Sequence, residues 1–226
     1  MRRFSPRRTI PGPGMRHAAL EYDLVAAVRP RLLVDLGAGD ACSFFACCQS
    51  MLDHDVDGSC YAIDTWQDPH GTHADATFDA IQAHGRAYYA GLTYFVRMAP
   101  RDARRHFDEG TVDLLRVDGE RADVVGQEDV ESWVRCLRPG GLVVWHGAVE
   151  DPSRFSVVAS RAASVVFGEG RGGIGIARKE GPEPTASLLR LLFVEGEGEG
   201  LERFYARLHE HLDFARLLAA ALAPRP

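Results

Sequence analysis

The chain has few of the marks that set several large protein classes apart. No uninterrupted apolar run approaches the ~20 residues that span a bilayer, so no membrane segment is expected. Arg2, Arg3, Arg7 and Arg8 lie near the start, but no apolar stretch follows them, and the pattern is not that of a secretory signal. The five cysteines (Cys42, Cys47, Cys48, Cys60 and Cys136) are odd in number and include no Cys-x-x-Cys pair. That argues against a disulfide framework or a structural zinc site, and for reduced core thiols in a cytoplasmic protein. Acids outnumber bases: 26 Lys and Arg against 32 Asp and Glu leave a formal charge of −6, with no basic surface to attract nucleic acid.

The composition is that of a globular protein, 46% hydrophobic over 226 residues, which is enough for one domain with extensions. The arginines at the start, with Pro6, Pro11, Gly12, Pro13 and Gly14, make residues 1–16 a flexible basic tail. Residues 17–194 read as the domain, because apolar strand-like runs alternate with helical patterns, as βαβ units do. Helices are expected over His17–Val28, Ala41–Leu52, Thr72–Tyr89, Arg101–Phe107 and Val125–Leu137. Strands are expected over Leu32–Leu36, Ser59–Ile63, Thr93–Val96, Val112–Val117 and Leu142–Trp145, the last entered through a turn at 138–141. Ser164–Phe167 and Ile174–Ala177 would pair as an antiparallel edge. The expected fold is α/β: a doubly wound, Rossmann-like, mostly parallel sheet with helices on both faces. Residues 195–226 would be a Glu/Gly linker and a C-terminal helix, Leu201–Leu222, whose apolar face suits packing, a lid or a homodimer contact.

In an open parallel sheet, ligands lie beyond the carboxyl ends of the strands. The first strand ends in Asp35-Leu36-Gly37-Ala38-Gly39, where the glycines let the backbone turn sharply and approach a ligand. A dinucleotide loop would carry a third glycine at the position of Cys42, so a cofactor without a pyrophosphate is favoured. Asp64 stands where an acid accepts hydrogen bonds from a ribose diol, with a helix cap as the plain alternative. Met98 and Ala99, after the third strand, could border an adenine ring. Asp118, Gly119, Glu120 and Arg121 follow the fourth strand, where such charges form either a site or a structural ion pair. His146 ends the fifth strand, placed for general-base work beside a substrate.

Several runs together resemble class I S-adenosylmethionine-dependent methyltransferases: Val34-Asp35-Leu36-Gly37-Ala38-Gly39, the 60–67 run Cys-Tyr-Ala-Ile-Asp-Thr-Trp-Gln, and the 112–119 run Val-Asp-Leu-Leu-Arg-Val-Asp-Gly. Glu131-Ser132-Trp133, the 137–141 run and Val144-Trp145-His146 add to the likeness, which covers about residues 17–210. More narrowly, the chain is similar to small bacterial methyltransferase domains of sugar and natural-product pathways, some encoded with glycosyltransferases. The resemblance implies that Gly37, Ala38 and Gly39 pass under the methionine part of the cofactor and that Asp64 holds the ribose hydroxyls. It puts Met98 and Ala99 at the adenine and Asp118 near the methionine end and the acceptor. Asp35, Ser43, Thr65, Trp66 and Gly119 complete the implied cofactor-binding set.

The chain also departs from that family. Relatives usually carry His at the positions of Arg116 and Arg121, and an acid at that of Gly147. In metal-using members a pair of acids after strands four and five holds a divalent ion; with Gly147 in place of the second, no metal site is expected. The expected function is methyl transfer from S-adenosylmethionine to a small-molecule acceptor, a hydroxyl of a sugar or natural product. His146 would be the base, Asp118 the alternative, and Arg121 a further member of the catalytic set. Residues 66–92 would form the acceptor wall, through Trp66, His70, His73, Phe78, His84, Tyr88 and Tyr89. Two alternatives remain: a non-methylating cyclisation or rearrangement, motivated by Arg116, Arg121 and Gly147, and a non-catalytic binding module.

Overall fold

Strands buried on both faces read as near-continuous apolar runs, and five of them set the centre of this protein. A computed structural model describes residues 4–8, 15–67, 74–120, 125–160, 162–168, 173–193 and 199–208. In chain order the elements are α1 (Ala18–Val28), β1 (Leu32–Leu36), α2 (Cys42–Asp53), β2 (Ser59–Asp64), α3 (Ala74–Tyr88), β3 (Thr93–Arg97) and α4 (Pro100–Ala103). They continue as β4 (Val112–Asp118), α5 (Gln127–Cys136), β5 (Leu137–His146), α6 (Pro152–Ala159), β6 (Ala162–Phe167), β7 (Ile174–Lys179) and α7 (Ser187–Phe193). A further helix runs over 199–208.

The strands form one sheet in the order β3-β2-β1-β4-β5-β7-β6. The first five are parallel, β7 runs antiparallel to β5, and β6 antiparallel to β7. This is the expected Rossmann-like sheet with its antiparallel edge. Side chains alternate across each strand. Leu33 and Leu114 face a core with Leu20, Leu24, Phe44 and Met51 of α1 and α2. Val34, Leu36, Leu115 and Val117 face the other core, with Trp133 of α5 and Phe155 of α6. All five cysteines are buried, and none is in a disulfide.

Three local expectations are corrected. The run expected as a helix over Arg101–Phe107 is only one turn, α4, followed by a 3-10 turn at Arg104–His106. The Arg-Pro-Gly-Gly run is not a turn before β5 but part of it. Val112 lies opposite Leu137 while Leu114 lies opposite Leu142, so the extra residues bulge out of the ladder. Gly140 makes this possible with a φ of 76° and an amide that donates to Glu180 O at 3.2 Å. Helices α6 and α7 were not foreseen; α6 starts with Asp151 as its cap, accepting from Arg154 N, and Pro152 in its first turn.

Within the segment expected as a loose tail, residues 4–8 lie against the domain. Phe4 is buried against Tyr22, with ring centroids 4.6 Å apart. Gln49 ties the segment down, accepting from Arg7 N at 3.1 Å and donating to Ser5 O at 2.9 Å. At the other end, the helix over 199–208 docks on α1, where Tyr205 donates to Asp23 Oδ2 at 2.7 Å. The remainder of the expected C-terminal helix, with Leu212 and Leu218, lies outside the described residues.

Trp133 is fully buried and its indole N–H donates to Pro100 O at 3.1 Å, pinning α5 to the start of α4. Trp133→Ala is expected to cost about 3–5 kcal/mol of stability, read from the shift of the urea-unfolding midpoint.

Candidate functional site

The glycine loop leaves β1 under backbone control. Gly37 and Gly39 have φ of 78° and 53°, and Gly37 N donates to Ile63 O at 2.9 Å, which holds the loop to the end of β2. Ala41 also has a positive φ, 60°, and Asp40 Oδ1 accepts from Cys42 N at 2.9 Å to start α2. Cys42, where a dinucleotide loop would have its third glycine, is buried against Tyr22 and Met15.

Asp64 ends β2 with its carboxylate against this loop. Oδ2 accepts from Gly39 N at 3.0 Å and Oδ1 from Trp66 N at 2.7 Å. Trp66 itself has a φ of 43°, and its indole donates to Gly39 O at 2.9 Å while its ring lies 4.8 Å from that of Phe78. Asp64 is fully buried among these contacts. Arg97, from the end of β3, reaches Thr65 O and Trp66 O, both at 3.4 Å, and pairs with Asp75 of α3 at 2.6 Å. Met98 is half-buried against the α5-side core, and Ala99 caps α4.

The expected acceptor wall divides. Phe78 faces Trp66, but Tyr89 is core, stacked on Phe45 at 5.4 Å, and His84 lies 4.5 Å from the same ring. Tyr88 is exposed. His70, His73 and Arg121 lie outside the described residues.

Sheet register assembles the rest. Asp35 of β1 lies opposite Arg116 of β4, and Asp118 of β4 opposite His146 of β5. Arg116 has the same phase as Leu114, so its side chain points to the α1 face. There it meets four partners. Nε pairs with Glu21 Oε2 of α1, Nη1 with Asp35 Oδ2 at 2.5 Å, and Nη2 donates to Ser43 Oγ of α2 at 2.6 Å. His146 Nε2 lies 3.1 Å from the same Nη2 and 2.8 Å from Glu21 Oε1. Asp35 and Ser43, both in the expected cofactor-binding set, contact Arg116. Glu21 was not foreseen at all; an acid in the apolar Ala18–Val28 helix was its one signal.

The electrostatics follow from burial. Burial opposes the charge on Glu21, but Arg116 and His146 outweigh it and hold the carboxyl down at about 2. For Asp35 burial wins, and the carboxyl rises to about 6 despite Arg116. Burial works against a charged His146 ring as well, yet Glu21 raises it above the ordinary imidazole value. Asp118 Oδ1 accepts from Glu120 N at 3.1 Å, and partial burial with Asp118 and Glu150 nearby raises the Glu120 carboxyl. Gly119 must be glycine: a Cβ there would sit 2.2 Å from Trp145 Nε1 and 2.5 Å from His146 O. No group of three or more acids, histidines and cysteines able to hold a metal occurs among the described residues.

A cavity of about 460 Å³ is lined by Leu32 of β1, Tyr61 of β2, Val96 of β3, Phe107 and Thr111 among others.

Residues 34–148, about half of the chain, match the family described as a methyltransferase domain. The chain belongs to that methyltransferase family. An uncharacterized protein of Sinorhizobium fredii is 33% identical to this methyltransferase over 134 residues, covering 58% of the chain but only 15% of that longer protein. Among solved structures, the O-methyltransferase TomG from Streptomyces achromogenes, in complex with S-adenosylmethionine, superposes with a TM-score of 0.53 at 19% identity, over 76% of this chain and 82% of its own. Spermidine synthase from Thermotoga maritima gives 0.54 at 14% identity, over 76% and 62%. A methyltransferase from Geobacter sulfurreducens gives 0.52 at 16%, over 72% and 77%. At such identities the structural likeness is one of fold.

The ion-pair cluster makes a prediction of its own. Without Arg116, burial raises Glu21 and Asp35 above their unfolded values, so the folded state binds more protons than the unfolded one and stability falls as pH rises. Arg116→Met is expected to cost about 3–5 kcal/mol at pH 7–8 and less toward pH 5, followed as Tm against pH.

Proposed function

We propose that this methyltransferase moves a methyl group from S-adenosylmethionine to a hydroxyl of a small molecule, a sugar or natural product. One observation carries the reading: the bare Gly37–Gly39 loop, held to the buried carboxylate of Asp64, opens beside the adjacent strand ends that carry Asp118 and His146. The residues fit the cofactor. Two glycines with positive φ leave the loop backbone uncovered by any Cβ, and Asp64 is a carboxylate acceptor suited to a ribose diol. Gly37, Ala38, Gly39 and Gly119 would lie along the methionine part, Met98 and Ala99 along the adenine, and Thr65 and Trp66 over the ribose.

When bound, S-adenosylmethionine supplies an electrophilic methyl carbon whose bonding electrons return to sulfur. The protein's own task is to hold the acceptor in line, keep water out and take a proton. His146 is the base in this reading and Asp118 the group that orients the acceptor hydroxyl. Arg121, two residues past Gly119, stays a proposed member of the acceptor side. A non-methylating use of the cofactor loses part of its motivation, because the charge of Arg116 is taken up by Glu21 and Asp35. The protein is proposed to work in the cytoplasm, without metal.

Three measurements test this. Calorimetric titration is expected to show S-adenosylmethionine binding that does not depend on magnesium, weakened about 10–100-fold by Asp64→Ala. His146→Ala is expected to leave that binding nearly unchanged and to cut turnover about 10²–10⁴-fold. Because His146 must be neutral to accept a proton and its pKa is raised, kcat is expected to increase with pH through a midpoint above the ordinary imidazole value of 6.5. Turnover indifferent to His146→Ala, or no cofactor binding, removes the reading.

A further inference from the structure

We propose that the docked amino-terminal segment, with α2 and α3 beneath it, forms an oxyanion-binding site that takes a phosphate group through Arg8, Tyr89 and His84. None of these residues belongs to the glycine loop or to the ends of β2, β4 and β5. The inference does not depend on the methyl-transfer reading.

Polar groups without partners mark the place. Residues 4–8 bring two guanidiniums over aromatic rings: Arg8 Cζ lies 5.7 Å from the centroid of Phe45, and Arg7 Cζ 6.0 Å from that of Tyr89. Phe45 also carries the other two groups, with the ring of His84 at 4.5 Å and that of Tyr89 stacked on it at 5.4 Å. The rings of His84 and Tyr89 are 5.8 Å apart. Arg8 Nε, His84 Nε2 and Tyr89 Oη are all buried atoms with no hydrogen-bond partner. Tyr89 as a whole is 1% exposed. Arg7 comes close to its hydroxyl, but a guanidinium only donates, so the phenol proton still has no acceptor. Buried polar groups are nearly always paired, and each one left unpaired costs stability. Three such atoms around one ring call for a ligand that accepts hydrogen bonds from all of them.

The charge balance says that this ligand is an anion. Although the chain carries a formal charge of −6, two guanidiniums here face one carboxylate. Asp53 Oδ1 lies 3.8 Å from Arg7 Nη2, and its Oδ2 already accepts from Tyr22 O–H at 2.9 Å and from Gln49 Nε2 at 3.4 Å. Arg8 has no acid partner among the described residues. His84 feels the excess: after burial, Arg8 and then Arg7 hold its ring below the ordinary imidazole value. Arg8 and His84 are only half-buried, so an ion reaches the cluster by rotation of the long arginine side chains that lie over it. Gln49 fixes the segment through Arg7 N and Ser5 O, which keeps the arginines on station. A phosphate group fits this set, because its oxygens match a guanidinium fork and leave acceptors over for the phenol and the imidazole N–H.

The test is calorimetric titration of the full chain with inorganic phosphate and with glycerol phosphate, against sodium chloride at equal ionic strength. Saturable binding of one phosphate group per chain is expected, with no equivalent heat from chloride. Arg8→Gln is expected to weaken it about 10–100-fold. Tyr89→Phe keeps the stacked ring and removes only the hydroxyl. It is expected to weaken binding about tenfold and, without phosphate, to keep or raise Tm, because an unpaired buried group is gone. Tighter binding of inorganic phosphate supports a site for the free ion, and tighter binding of glycerol phosphate a site for a phosphate monoester. Absence of binding by both, heat that chloride reproduces, or affinity that neither Arg8→Gln nor Tyr89→Phe changes overturns the proposal. A Tm that falls in Tyr89→Phe while its phosphate affinity stays that of the wild type also overturns it, since the hydroxyl then serves the fold alone.

Discussion

A guanidinium buried in the middle of a parallel sheet has to be met by opposite charge, and the site is built around how that is done. Arg116 is placed on the α1 face by strand phase alone, one residue past the fully apolar Leu115. A lone cation there would be too costly to bury. The answer is drawn from separate elements: a carboxylate from the neighbouring strand, another from the covering helix, and a hydroxyl from the first turn after the glycine loop. The cluster is weak evidence for added stability, since well-packed apolar residues could do as well. What it does secure is position. Glu21, Asp35, Ser43 and His146 can satisfy Arg116 only if α1, α2 and the ends of β1, β4 and β5 hold one fixed arrangement.

That arrangement adjoins the glycine loop. There, Gly39 and Asp64 are bonded to each other and held by Trp66, so the loop carries its shape without a ligand. The guanidinium that anchors the loop's helix through Ser43 also borders His146, so a change at Arg116 reaches both.

Much of the fold was legible because burial on both faces leaves long apolar runs between glycine and proline signals, and all five parallel strands fell where those runs lie. Failures came where a local signal was overruled. Pro139-Gly140-Gly141 is turn chemistry, yet the chain stays in the ladder there by bulging. The contact of the glycine loop with Asp64 was partly legible as well, since it depends on glycines and an acid at strand ends. The contacts of Asp35 and Ser43 with Arg116 were not legible, because a motif gives the place of a side chain along the strand and not what stands opposite it.

By itself, the sequence determined the alternation of elements, the antiparallel edge and the glycine loop, since these are properties of composition and spacing along one strand or loop at a time. Only the tertiary structure decided that Asp35 faces Arg116, that Glu21 closes the pair from a helix nearly a hundred residues earlier, and that His146 is held by both. The reason is physical. Pairing between charges depends on the register of neighbouring strands and on which helix covers them, and neither is written in the local periodicity of any one element.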